Sequence, residues 1–348
     1  MAFVSALLAG SLVAMGVAAA LRSGEDAPTI QDAEELRAGH GAERVPVPAE
    51  GVYFGAWRGP GPGRPDDPRV SIESAEQQIG RKYAIDRRFY RWHTVLPTNY
   101  DRWTADEGRI PMISLRSRDV RTDEVIPWSV IASGREDTYL REVADGLREW
   151  REPVFFILDA EPESMVGEWG TAAEFRAAWR HIVGLFRERD VRNVSFTWTT
   201  QTWSFKPEAE RGELMDDLYP GDDVVDWIAG DPYNFYDRGV WADLGEEMAD
   251  WYAWARREHP TKPLAVAEWG SKEDPAAPGR KAAWFDEVLL ALREDYPEVK
   301  AVVYFDEEKH EDGTVNDWRI DTSAESLLGF ARLARSPYFV TPQPGSSR

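Results

Sequence analysis

Two glutamates stand at the ends of apolar runs. The first run is Pro153-Val154-Phe155-Phe156-Ile157-Leu158-Asp159-Ala160-Glu161, and the second is Pro263-Leu264-Ala265-Val266-Ala267-Glu268-Trp269-Gly270. Short runs this apolar read as strands buried on both faces, each carrying its carboxyl group out at the C-terminal end. Two carboxyl groups facing each other across a cleft are the least equipment needed to cut a glycosidic bond. In a chain with 62 acidic residues a lone glutamate is ordinarily a solvated loop carboxylate or half of a salt bridge. The pair therefore carries meaning only if both strands open onto one site.

Other chemistries lack their residues. The five histidines, at 40, 93, 181, 259 and 310, have no metal-ligand spacing. There is no Gly-x-Ser-x-Gly nucleophile elbow, and the absence of cysteine excludes thiol catalysis and disulfides. The acidic stretch Asp306-Glu307-Glu308 to Asp312 has oxygen ligands for calcium but reads as a solvated charge run. No metal and no cofactor are expected.

The elements that must position the two glutamates follow a regular alternation. From Gly51 onward, strand-like runs at 52–57, 87–93, 110–115, 154–159, 194–198, 225–230, 264–268 and 301–305 alternate with amphipathic runs such as 137–150, 172–189, 246–258 and 280–295, and a last helix at 323–334. Eight such units predict a single-domain (β/α)8 TIM barrel over 51–340. A doubly wound open sheet is the alternative, and it wants a Gly-rich phosphate turn after its first strand. Gly59-Pro60-Gly61-Pro62-Gly63 is a poor candidate, because its prolines remove amide donors and oppose a helix start. On the barrel count Glu161 lies just past strand four and Glu268 at the end of strand seven, on the catalytic face. The stretches 207–221 and 307–317 read as long polar loops that shape the same face.

Composition narrows the partners. The formal charge is −21, which opposes phosphate backbones, anionic lipid and polyanionic substrates. A neutral polysaccharide is compatible. Sixteen Trp, twelve Tyr and fourteen Phe can fill a large core, and some can stack on sugar rings. The apolar run from Ala2 to Leu21 predicts an export signal over 1–22, with an uncleaved membrane anchor as the alternative. Residues 23–50 read as a flexible linker and 341–348 as a disordered tail. The expectation is a secreted monomer, touching a membrane only if the N-terminal run is retained.

Several segments, in order, resemble glycoside hydrolase family 26, the β-mannanase-type family of retaining barrel glycosidases. They are Ala160-Glu161-Pro162-Glu163, the helix with Phe175 and Trp179-Arg180-His181, Val191-Arg192-Asn193-Val194 leading to Thr197-Trp198-Thr199, Tyr219-Pro220-Gly221-Asp222 with Asp231-Pro232-Tyr233-Asn234, Ala267-Glu268-Trp269-Gly270-Ser271, Val303-Tyr304-Phe305-Asp306, and Asp317-Trp318-Arg319. The resemblance runs from about Gly51 to Phe339.

It implies an endo-acting retaining β-glycosidase, with β-1,4-mannan as the leading substrate, Glu161 as general acid/base and Glu268 as nucleophile. Tyr233 would donate its hydroxyl to Glu268. His93, Trp92, Glu163, Trp169, Trp198, Trp269 and Asp306 are the expected substrate contacts, with Trp169, Trp198 and Trp269 as sugar platforms and Trp57 and Trp203 as further cleft aromatics. One position departs from the family: Ala160 stands where a His usually precedes the acid/base. Asp159 or His93 is a candidate to take over part of that role. The substitution also raises an alternative, a barrel that binds glycan without cutting it.

Overall fold

The computed structural model describes residues 43–236, 240–311 and 313–342. The export segment, most of the linker 23–50 and most of the tail 341–348 lie outside the described residues. Among the described residues no helix is long and apolar enough to cross a membrane.

Eight strands form one closed sheet: β1 (Val52–Arg58), β2 (Ile85–Trp92), β3 (Ile110–Asp119), β4 (Val154–Leu158), β5 (Val194–Gln201), β6 (Trp227–Asp231), β7 (Leu264–Ser271) and β8 (Val299–Asp306). Each pairs in parallel with the next. Closure comes from β8 pairing with β1, from Tyr53 opposite Ala301 to Arg58 opposite Asp306. A closed ring excludes the open-sheet alternative, and the fold is a (β/α)8 TIM barrel. Helices α1 (Pro68–Ile79), α2 (Asn99–Asp106), α3 (Trp128–Ala132), α4 (Asp137–Trp150), α5 (Ala172–Glu188), α6 (Gly212–Leu218), α7 (Leu244–Glu258), α8 (Arg280–Glu294) and α9 (Ala324–Ala334) fill the returns.

Strand periodicity builds two cores. In β4, Phe155 and Ile157 point into the barrel, while Phe156 and Leu158 point out to the helices. Both sets are buried, which is why the run is apolar throughout. The barrel interior is closed by Tyr53, Ile85, Met112, Ala229, Ala265 and their neighbours, with the Phe155 and Trp227 rings edge to face at 5.2 Å. Gly55 marks a close approach of β1 to β2: a Cβ there would lie 2.5 Å from that of Ile85.

Three boundaries differ from the sequence reading. The stretch 207–221 is not all loop, since it contains α6, and 307–317 folds as a hairpin of β9 (Glu308–Glu311) and β10 (Thr314–Asp317). At the end of the expected linker 23–50, two residues are tied to the barrel. Val45 is buried in the barrel interior, its N–H donates to Ser195 Oγ at 3.0 Å, and Arg44 pairs with Asp226 at 2.5 Å.

Candidate active site

The chain leaves β4 through two residues in the left-handed region, Asp159 at φ 44° and Glu161 at φ 60°. For side chains with a Cβ this costs on the order of 1–3 kcal/mol each, so the surroundings must hold it. The Asp159 carboxylate accepts from Ser117 N (2.8 Å), Ser117 Oγ (2.5 Å) and Trp128 Nε1 (2.9 Å). The Glu161 N–H donates to the Thr199 carbonyl at 3.0 Å, and its own carbonyl accepts from Ser164 Oγ at 2.8 Å. The result aims the Glu161 side chain into a cleft of about 1200 Å³ at the C-terminal mouth of the barrel. Glu268, inward-facing near the end of β7, reaches the same cleft from the other side.

One carboxylate oxygen from each of Glu161, Asp231 and Glu268 lies within 4.8 Å of the others. Asp231 closes β6, and its Oδ1 accepts from the Glu268 backbone N–H at 2.8 Å. The three acids have different company. Arg87, fully buried on β2, forms an ion pair with Glu268 Oε1 at 2.9 Å and is itself fixed by Ser114 Oγ (3.0 Å) and the Ala267 carbonyl (2.7 Å). Tyr233 donates its hydroxyl to Glu268 Oε2 at 2.7 Å. At Glu161 the contact is an amide: Gln201 Nε2 donates to its Oε2 at 3.0 Å.

Burial, and then the charge of Glu268, push the Glu161 carboxyl up to about 7. The same two causes, in the same order, hold Asp231 well above the carboxylate range, and its Oδ2 is buried without a partner. Glu163 is pushed up to about 8, by burial first and by Glu161 second. The acidic trio is the cluster among the described residues that could hold a cation. Arg87 already supplies positive charge at that point, which opposes a metal there.

Two of the expected substrate contacts are displaced by their own hydrogen bonds. His93 sits outside the cleft between Asp119 (2.8 Å) and Glu136 (3.1 Å), and Trp92 is buried with its Nε1 donating to Glu136 at 2.9 Å. Asp159, spent on its turn, cannot replace the missing histidine either. Trp198 and Trp269 are core residues on the outward faces of β5 and β7. Trp169 is 5 % exposed and lies under Arg116 and Arg118. None of these three lines the cleft, so none is a sugar platform. Asp306 is buried against Arg58 and Arg64 and accepts from the Ile320 N–H at 3.0 Å. Glu163 is buried behind Glu161, accepting from Gln201 N at 2.6 Å. The aromatic lining is Phe89, Tyr90, Tyr233, Phe235, Tyr236, Phe305 and Trp318, together with the expected Trp203. Ala160 does line the cleft, packed against the barrel interior.

No family model matches the chain. Among solved structures it is similar to the family 26 β-mannanase of Bacteroides ovatus, with a TM-score of 0.60 and 20% identity over 84% of this chain and 91% of that one. A modular endo-β-1,4-mannanase of Cellulomonas fimi superposes with a TM-score of 0.61 and 17% identity, covering 85% of this chain and 73% of that one. The fold is that of the glycoside hydrolase family 26 barrels. Among curated proteins the chain is 27% identical over 300 residues to Endoglucanase H of Acetivibrio thermocellus, covering 80% of this chain. It spans 30% of that relative's length.

Proposed function

We propose that the chain is a retaining glycoside hydrolase acting on a β-linked glycan. The observation that carries this reading is the pair of cleft carboxyl groups, with oxygens within 4.8 Å, in unlike surroundings. Retaining enzymes use a separation of roughly 5–5.5 Å between the two groups. Glu161, protonated up to about pH 7, gives its proton to the departing glycosidic oxygen. The Glu268 carboxylate, oriented by Arg87 and Tyr233, attacks the anomeric carbon and forms a glycosyl-enzyme ester as the carbon–oxygen bond breaks. Glu161, now anionic, takes a proton from water, which attacks the same carbon and releases Glu268. Endo action on β-1,4-mannan is the leading substrate reading, supported by the neighbours that are described as mannanases; the endoglucanase relative supports a glucan as the next candidate.

Ala160 favours a second reading, a barrel that binds glycan without cleaving it. Release of reducing ends from mannan, β-1,3-xylan, mixed-linkage glucan and chitosan decides between them. Product from any of these, lost in Glu268→Gln, supports hydrolysis; binding without product on all of them sinks it. We also propose export through the apolar run from Ala2 to Leu21, for which N-terminal sequencing of secreted material is the test.

A further inference from the structure

The net charge of the chain is −21, yet the cleft is not acidic. Five basic side chains, Arg91, Arg116, Lys206, Lys272 and Lys309, line it, matched by as many acids. Of the acids, Glu161 and Asp231 are held toward their neutral forms by burial. Lys206 is neutralised by Glu247 at 2.7 Å. The wall over β2 and β3 is different. Arg91 and Arg116 are register partners on these neighbouring parallel strands, so their side chains leave the sheet on the same face, side by side. Like charges placed opposite each other on adjacent strands are destabilising unless something compensates.

Arg116 is exposed, and its guanidinium lies 5.3 Å from the centre of the Trp169 ring, a buried indole that fixes its direction. Among the described residues Arg91 pairs with Asp123, and both side chains of that pair are more than half exposed. Surface pairs of this kind are weak and exchange readily for a better partner. Two arginines at paired positions, one with its guanidinium over an indole and the other held only by a surface ion pair, are suited to recognition of a carboxylate.

We propose that this wall binds a carboxylate carried by the glycan, either a uronosyl unit of the main chain or a carboxylate-bearing substituent on it. The proposal rests on the glycan-cleft reading above. It requires sparse carboxylates on an otherwise neutral polymer, because the acidic surface beyond the cleft repels a uniform polyanion.

Calorimetric binding of the full chain to matched polymers tests it without needing turnover. The probes are neutral β-mannan, the same mannan sparsely oxidised at C6 to uronosyl units, and mannan bearing pyruvyl acetal groups. One acidic polymer is expected to bind about tenfold more tightly than the neutral one, and which of the two does so identifies the source of the carboxylate. The preference should vanish in high salt for the unaltered protein. It should fall to about one in Arg91→Met/Arg116→Met, with melting curves establishing that the variant is folded; if it is not, the salt dependence and Arg116→Lys, which keeps charge but loses the fork, stand in its place. Equal affinity for all three polymers, binding of none, or a preference indifferent to salt and to both variants overturns the proposal. A preference without hydrolysis of any polymer would leave it standing and remove the glycosidase reading instead.

Discussion

Glu161 and Glu268 share one cleft floor, and the elements behind them treat them in opposite ways. Behind Glu268 stand a buried guanidinium and a tyrosine hydroxyl, both directed at the carboxylate. Behind Glu161 stand an amide, Gln201, and a second buried acid, Glu163, whose Oε2 has no partner. Two chemically identical side chains are thereby given unlike surroundings, and in the proposed mechanism unlike tasks. The teaching is that the difference lies in the neighbours, on β2 and β5 and just past β4 and β6, more than in the glutamates themselves.

The contrast can be broken at either end. Glu268→Gln should have the largest effect, a loss in kcat on the order of 10⁴-fold or more with the melting temperature little changed. Glu161→Gln should lower kcat by roughly 10²–10⁴-fold, least for substrates with good leaving groups. In the unaltered protein, kcat/KM should fall as pH rises through about 7, where the Glu161 proton is lost. That alkaline limb should disappear in Glu161→Gln, and its persistence would assign the acid elsewhere. Tyr233→Phe removes one donor from Glu268 and should cost on the order of 10² in kcat.

The smallest effect is on stability. Glu163 in the unfolded chain ionises near the ordinary value, about 4.3, while in the fold it keeps its proton up to about 8. Between these values the unfolded state holds fewer protons, so the contribution of Glu163 to stability falls as pH rises and is fully lost above the folded value. Glu163→Gln should therefore melt like the parent near pH 4 and measurably higher on the alkaline side. Equal melting curves at both ends would mean that the buried acid is solvated in the fold.

Much of this was legible in the sequence because barrel strands are buried on both faces and so stand out as unbroken apolar runs. The placement of Glu161 and Glu268 at one mouth follows from that count. Trp269 was misread for a reason the strand's sequence does not display: plain alternation from Ala265 and Ala267 would turn it inward, and an irregularity in the β7–β8 register between Val266 and Trp269 turns it toward the helices instead. Trp198 in β5 does follow plain alternation, pointing outward with Val194 and Phe196. Arg87 and Asp231 received no role from sequence. Arg87 had a usable signal, a charged residue in the run Ile85-Asp86-Arg87-Arg88-Phe89 at a position that alternation turns into the barrel beside Ile85. Asp231 had another, an acid closing an apolar strand immediately before Pro232. Gln201 had none, since an amide at a strand end is unremarkable until the residue it touches is known.

Val45 carries a practical consequence for anyone handling this protein. It corks the lower end of the stave ring, and the Arg44 guanidinium clips the cork to Asp226 on the approach to β6. A version trimmed to begin at Gly51, where the first stave starts, would lose the cork and wet the floor beneath Tyr53 and Met112, at the end of the ring away from the cleft.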